Sequence, residues 1–376
     1  MTHVPLAISA LFFVLAIASV LYTDFALIRL VTKRAAAPAE GSELPTLTIL
    51  KPLAGLEPEL EENLRTFCDQ EYPRFQVIFC AQNADDPALD VARRIRASMP
   101  HCEIAVVAGG GAHVLNPKIE NLLAALPSAT GEILVVADSD MRVERDYLRR
   151  IASAFADPAV GAATTLYGAR ATQALVARLG AMFVNDQFMP SVLVATALQP
   201  LRYCFGATMA VRARVLDEVG GLAAIGATIA DDYALGELVT RRGYRVALAS
   251  AIPLTLVSER TLRALLAREI RWARTIRAVR PLGYAGSVVA FPMTWGLLNL
   301  IFAPAALSAG ALFVAAIAFR VAVHVWAHRV LRIPGRSAPW LVPLREALSV
   351  LVWAAGLLGT SARWRQTRVS TRADGW

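Results

Sequence analysis

The chain has 376 residues, 56% of them apolar, and its 38 lysines and arginines against 30 acidic residues leave a net charge of +8. That length exceeds the usual single domain, and the apolar share with a positive mean hydropathy excludes an ordinary soluble enzyme in favour of a membrane protein with a soluble part. The excess charge is carried almost wholly by arginine and requires an anionic partner: a phosphate-bearing substrate, an acidic membrane surface or nucleic acid.

From Val4 to Tyr22 the chain carries no charge, enough to cross a hydrocarbon layer of about 30 Å as a helix. With no basic stretch before it and no small-residue cleavage site, it reads as a retained anchor and not a signal peptide. Arg29, Lys33 and Arg34 follow closely, and the positive-inside rule then puts the following chain in the cytosol.

Beyond a short low-complexity linker at 35–41, β-rich runs at 46–50, 76–81, 103–107 and 133–137 alternate with helical patterns at 57–67, 87–98 and 118–126. That alternation predicts βαβ units, and the near-continuous apolar runs predict a parallel sheet buried on both faces. The cysteines Cys68, Cys80, Cys102 and Cys204 lie far apart without a CxxC pair, which argues against zinc and fits reduced thiols in a cytosolic domain.

Candidate chemistry begins in VLNPKIENLLAAL, which sets Asn116, Lys118 and Asn121 at a helix start able to meet phosphate or a nucleoside. A Pro-initiated helix with ordinary polar residues is the plain alternative. The run EILVVADSD ends a buried strand on Asp138, Ser139 and Asp140, at the edge where open α/β sheets bind ligands. Carboxylates on alternate residues reach one ligand from two sides, one to a sugar hydroxyl and one to Mg²⁺ or Mn²⁺. A lone DxD is also a common solvated turn. CFGATMAVRARVLDEVGGL reads as strand and helix with a glycine where backbone approaches a ligand. IADDYALGELVTRRGYRV then opens a helical pattern on Asp231 and Asp232, which also suits a simple helix N-terminus.

REIRWARTIR offers Arg268, Arg271 and Trp272, cations for a diphosphate and an indole to stack or pack. Around it Arg260, Arg263, Arg274, Arg277 and Arg280 interleave with Leu262, Leu265, Leu266, Ile270 and Ile276 at helical spacing. Such a segment either lies in the headgroup layer or covers a core helix with a basic face. MPSVLVATAL likewise suits a lipid entrance or buried core. Uncharged residues 285–319, broken by Pro292 and Pro304, predict two tightly joined helices, the second passing Arg320. A third candidate at 340–360 contains Arg345 and Glu346. If it spans, the tail with Arg363, Arg365, Arg368 and Arg372 lies outside against the positive-inside rule, so one C-terminal segment is expected to be re-entrant or interfacial.

The order DxD, second acidic pair, RxxRW and then membrane spans resembles the processive-type family 2 glycosyltransferases. More closely it resembles the ceramide glucosyltransferases of family 21 and the related hopanoid-biosynthesis glycosyltransferases. NPKIENL, ADSD, FGATMAVR, IADDYALGELVTRRGYRV and REIRWARTIR carry the likeness, which covers residues 45–285. The resemblance implies an α/β, Rossmann-like GT-A (nucleotide-diphospho-sugar transferase) domain with N- and C-terminal transmembrane helices. The divisions expected are an anchor at 1–30, a cytosolic catalytic domain at 44–258, an amphipathic interfacial helix with RxxRW at 259–282, transmembrane or re-entrant helices at 283–362, and a basic tail at 363–376.

It further implies an inverting hexosyltransferase of the inner membrane, multi-pass with its catalytic domain facing the cytosol, moving one sugar from a UDP-sugar to a lipid hydroxyl with Mg²⁺ or Mn²⁺. Ceramide is the first acceptor, bacteriohopanetetrol receiving N-acetylglucosamine the alternative, and polysaccharide synthesis the second alternative; nucleic acid is no partner. By position, Asp140 matches the metal ligand, Asp138 the residue nearer the ribose, and Asp232 the catalytic base. Arg268, Arg271 and Trp272 match the diphosphate and acceptor signature. Lys118 and Asp231 join the nucleotide-sugar set, and AQNADDPALD offers Asp85 or Asp86, with Asp86 ranked first, as the upstream nucleotide-binding aspartate.

Overall fold

The structure, a computed structural model, describes residues 3–35, 44–109, 114–228, 230–358, 361–364 and 367–370. The chain opens with helix α1 (His3–Ala35) and continues through β1 (Leu47–Leu53), α2 (Leu60–Cys68), β2 (Phe75–Ala81), α3 (Pro87–Ser98), β3 (Glu103–Ala108), α4 (Pro117–Ala125) and β4 (Ile133–Val136). Then come β5 (Met141–Arg142), α5 (Tyr147–Ser153), β6 (Val160–Thr165), β7 (Gly168–Ala171) and α6 (Leu175–Phe183), which runs through a π-helical turn into α7 (Met189–Leu198). β8 (Met209–Arg212), α8 (Ala213–Glu218), α9 (Asp231–Arg241), β9 (Arg245–Ala249) and β10 (Leu254–Val257) follow. The remainder is α10 (Leu262–Val279), α11 (Pro281–Gly286), α12 (Pro292–Phe302), α13 (Leu307–Val330), α14 (Val342–Leu357) and two short strands, β11 (Ser361–Trp364) and β12 (Thr367–Ser370). Of the expected linker and basic tail, residues 36–41, 365–366 and 371–376 lie outside the described residues.

Two compact units emerge, each assembled from separated stretches: Thr32–Gly168 with Thr196–Leu256, and Met1–Val31 with Ala169–Ala195 and Val257–Trp376. The first is an α/β unit around a seven-stranded sheet of order β3-β2-β1-β4-β8-β6-β9. Alternation along β4 explains the apolar run that marked it: Ile133 and Val135 face one core layer with α2, α3 and α5, while Leu134 and Val136 face the other with α4, α8 and α9. The sheet is mixed and not all-parallel as expected. β1 to β4 are parallel, but β8 runs antiparallel between β4 and β6. A strand buried on both faces reads the same in either direction, so the apolar pattern does not encode this reversal. α2 begins at Leu60 and not at 57, since Pro58 disfavours helix at Glu57 and Glu59 adopts a left-handed φ of 58°.

The second unit is helical. Among the described residues, three helical segments are long and apolar enough to cross a membrane: Ala7–Lys33, Leu307–Val330 and Pro339–Leu357. Pro281–Ala290 and Pro292–Phe302 form a pair bent by 66°, a broken span or a re-entrant loop. Buried pairing accounts for the charges in the apolar stretches. Arg345 forms a two-pronged bond to Glu269, both at 3.0 Å, and Glu346 accepts from the Thr294 amide at 2.8 Å with Arg320 Nε at 3.4 Å. His324 Nδ1 meets Asp186 Oδ2 at 2.7 Å on the π-helical turn. Charged groups this deep persist only when partnered. Gly356 lets α14 approach closely: a Cβ there would fall 2.1 Å from Tyr284 Oη and 2.8 Å from Ala273 Cβ.

Candidate active site

β4 delivers Asp138 to the carboxyl edge of the sheet one residue after Ala137, whose amide still bonds Leu50 O across to β1. The polypeptide then turns, and Met141 enters the short ladder β5–β10, pairing with Thr255. That ladder fixes Asp140, whose Oδ2 accepts from Thr255 Oγ1 at 2.5 Å. Between them Ser139 donates to Glu57 Oε2 at 2.6 Å.

A second element converges from the helix side. Pro117 starts α4, and the Asn116 side chain caps it by accepting from Lys118 N at 3.0 Å. Lys118 Nζ lies 2.9 Å from Asp138 Oδ1 and 3.3 Å from Asp231 Oδ2. Asn116 Nδ2 reaches Asp231 Oδ1 at 3.4 Å, tying the start of α4 to the start of α9. Asp231 and Asp232 occupy the first turn of α9, where the exposed amides favour negative charge. Asp232 accepts from Gly206 N at 3.0 Å and from the Tyr233 amide at 2.8 Å.

Gly206 is the hinge of the arrangement. A Cβ on it would fall 3.3 Å from Asp138 Oδ2, 3.7 Å from Asp232 Oδ2 and 3.8 Å from Lys118 Nζ, so the glycine leaves open the space those three groups surround. Gly236 does the same for α9, whose backbone packs on Tyr203 so closely that a Cβ would lie 2.3 Å from Tyr203 Cα. That contact brings Cys204 N to Asp232 O at 3.0 Å.

Burial raises the pKa of both Asp232 and Asp140. Burial, then the neighbouring Asp231, pushes Asp232 up to about 7, with Lys118 opposing. Burial and then Asp138 push Asp140 up to about 6, against the Thr255 hydrogen bond. Burial works against the Lys118 ammonium, but Asp138, Asp231 and Asp232 outweigh it and hold its pKa above the ordinary value. Exposure falls across the cluster, from 39% for the Asp138 side chain to 19% for Lys118 and 9% for Asp231. Of these three side chains, Asp138 is the most accessible.

The structure thus brings Lys118, Asp138, Asp231 and Asp232 together, with Asp140 next along the turn. Asp86 has both carboxylate oxygens engaged by the fold: it caps α3 through Ala88 N at 2.9 Å and accepts from Gly55 N at 3.0 and 3.1 Å. Arg268, Arg271 and Trp272 lie on α10 in the helical unit. There Arg268 pairs with Glu259 and sits 5.0 Å from the Trp272 ring, which stacks on Phe183 at 6.1 Å. Arg268 Nε and Nη2 are buried without a hydrogen-bond partner. Burial, then Arg268, lowers the Arg271 pKa. Arg274 and Arg277 cap the end of α14 by donating to Leu358 O at 3.1 Å and Leu357 O at 2.6 Å.

Sequence reasoning pointed to Gly206 through CFGATMAVR but missed Lys51, Glu57 and Thr255. Lys51 had one visible signal, a lysine inside the apolar strand run TILKPL; the others act through contacts between segments far apart in the chain.

Known proteins support the same architecture. Residues 11–376 match the model of glycosyl transferase family 21. Ceramide glucosyltransferase 3 of Caenorhabditis elegans is 26% identical over 243 residues, 64% of this chain and 53% of the relative. A ceramide glucosyltransferase of Komagataella phaffii is 27% identical over 140 residues, 36% of this chain and 27% of the relative. The chain spans about half the length of the first of these relatives, or less of the second. Among solved structures, a mannosyltransferase of Pyrobaculum calidifontis in complex with GDP-Man and Mn²⁺ superposes with a TM-score of 0.55 at 21% identity, covering 95% of this chain and 98% of its own. The fold is therefore GT-A, and the chain belongs to glycosyl transferase family 21.

Proposed function

We propose that the protein is a membrane-bound, inverting hexosyltransferase that moves one sugar from a UDP-sugar to the hydroxyl of a membrane lipid, with ceramide as acceptor and glucose as the sugar. The observation that carries this reading is the convergence of Lys118, Asp138, Asp231 and Asp232 around the space left by Gly206. The ceramide glucosyltransferases among its relatives favour ceramide over a hopanoid acceptor.

Asp232 is the base. As the lipid hydroxyl attacks the anomeric carbon, its proton passes to Asp232 while the bond to the nucleotide diphosphate breaks on the opposite face, inverting the centre. A carboxylate pushed up to about 7 suits that task near neutral pH. Lys118 and Asp138 hold the nucleotide-sugar, with Asp231 keeping Lys118 in place. Among the described residues no three His, Cys, Asp or Glu side chains form a ready metal cage. The DxD pair fits a cation of another kind, held by one or two carboxylates together with substrate phosphates, as Mg²⁺ and Mn²⁺ are. Asp140, with Asp138 beside it, would hold that ion, which would stabilise charge on the departing diphosphate.

We read α1, α13 and α14 as inner-membrane spans, the α/β unit as cytosolic and α10 as interfacial, with Leu262 and Ile276 exposed on it. Arg268, Arg271 and Trp272 serve the diphosphate and acceptor side.

The test offers detergent-solubilised protein Mn²⁺ or Mg²⁺ with UDP-glucose or UDP-N-acetylglucosamine, and ceramide or bacteriohopanetetrol, with products read by mass spectrometry. One hexose added to ceramide is the expected product. Transfer of N-acetylhexosamine to the hopanoid alone would overturn the acceptor assignment, and polymer formation would overturn single-sugar transfer.

A further inference from the structure

Lys51 lies toward the carboxyl end of β1, paired with Phe79 of β2 and one residue past the stretch that β4 pairs, and its side chain is fully buried. Its Nζ rests 3.7 Å from the centre of the Phe67 ring and donates to the Asp138 main-chain carbonyl at 2.5 Å. The same carbonyl accepts from Met141 N at 3.3 Å. An amine this deep is an expensive way to fill space, since methionine or leucine would occupy the site without desolvating a cation. The charged and titratable groups that act on it are Asp138, Asp140, Glu57 and Cys68. Two further bonds tie the same turn from outside: Ser139 to Glu57 at 2.6 Å and Asp140 to Thr255 at 2.5 Å. These hold side chains, whereas Lys51 holds the backbone from which Asp138 and Asp140 project.

We infer that Lys51 is a positioning residue for the donor site: from beneath the turn it fixes the Asp138 carbonyl and thereby the spacing of the Asp138 and Asp140 carboxylates. The inference rests on the donor-site reading proposed above. Lys51 is too deeply buried to touch the donor itself, so it acts only through the turn. A rigid central strand is the element on which such support works best.

The experiment compares full-length wild type, Lys51→Met and Lys51→Gln in detergent. Binding of Mn²⁺ in the presence of UDP is followed by the loss of the free Mn²⁺ signal in electron paramagnetic resonance, and the KM for Mn²⁺ and kcat are measured in transfer. Lys51→Met is expected to weaken Mn²⁺ binding and raise its KM by about tenfold or more, the worth of one charge-assisted hydrogen bond. Its kcat is expected to return toward wild type at saturating Mn²⁺, and Lys51→Gln, which keeps an N–H donor, to fall between the two.

Unchanged Mn²⁺ affinity with only a lowered melting temperature would overturn the inference, because a space-filling role moves stability alone. Should Lys51→Met not fold, Lys51→Gln decides: wild-type Mn²⁺ affinity overturns the role and a weakened affinity supports it. Wild type that binds no Mn²⁺ with UDP would instead fail the donor-site reading, an outcome distinct from any difference between variants.

Discussion

Replacing Lys118 with methionine keeps the stem and removes the cation that joins the two acidic pairs. Its Nζ touches Asp138 and Asp231 directly, at 2.9 and 3.3 Å. Asp232 Oδ2 is also near, since it and Nζ lie 3.7 and 3.8 Å from one point above Gly206 and so are no farther apart than those two distances combined. At a separation of ~6 Å and an effective dielectric of ~20, the charge contributes about 3 kcal/mol, or about two pK units. Lys118 is partly exposed, and screening reduces this to about one to two units.

Asp232 already stands near 7 because burial and Asp231 outweigh Lys118. Removing Lys118 raises it further. The base works only when deprotonated, so activity is lost as pH falls through its pKa, and a higher pKa moves that loss to higher pH. The acidic limb of kcat/KM is therefore expected to shift upward by about one to two units in Lys118→Met and to stay in place in Lys118→Arg. A limb at the wild-type pH in the methionine variant, with activity lowered equally at all pH values, would refute this account of how Asp232 is tuned.

Asp232→Asn is expected to cut transfer by about 10²-fold or more while UDP-sugar binding, followed by calorimetry, stays near wild type. Asp140 must be deprotonated to hold a cation, so the apparent Mn²⁺ affinity should fall as pH drops through about 6, and Asp140→Asn should abolish that dependence. Gly236→Ala forces a methyl group against the Tyr203 backbone and is expected to cost about 1–3 kcal/mol by thermal unfolding, with a larger proportional loss of activity because α9 carries Asp232. Glu269→Gln leaves Arg345 buried beside a neutral amide; it should destabilise the protein by about 3–5 kcal/mol, and adding Arg345→Met should recover much of the loss.

What could be read in advance follows from how far each signal reaches along the chain. β1 to β4 and the helices α3 and α4 announce themselves through runs and caps only a few residues long, and Asp138 follows directly from knowing where β4 ends. The direction of β8 is not local information, because both faces of that strand are buried whichever way it runs. Arg274 and Arg277 read, from their spacing alone, either as headgroup-layer charges or as a basic face over a core helix. Only the position of the end of α14 shows that they satisfy its terminal carbonyls.

The same reasoning explains why the acidic pairs and Lys118 were found while Lys51, Glu57 and Thr255 were not. A carboxylate after an apolar strand or in a first helical turn is conspicuous in sequence whatever it does. Its pKa, by contrast, is set first by burial in the fold and then by neighbours, some of them from other segments. Asp232 is raised by burial and Asp231 with Lys118 opposing; Asp140 is raised by burial and Asp138 against the hydrogen bond from Thr255, which β10 brings alongside β5. On the proposed reading, Asp232 takes a proton near neutral pH and Asp140 holds a cation at the turn. On that reading, Lys51 beneath the turn and Gly206 in the gap support the two roles, and any substitution that preserves the aspartates while moving those supports should alter function without erasing the motif.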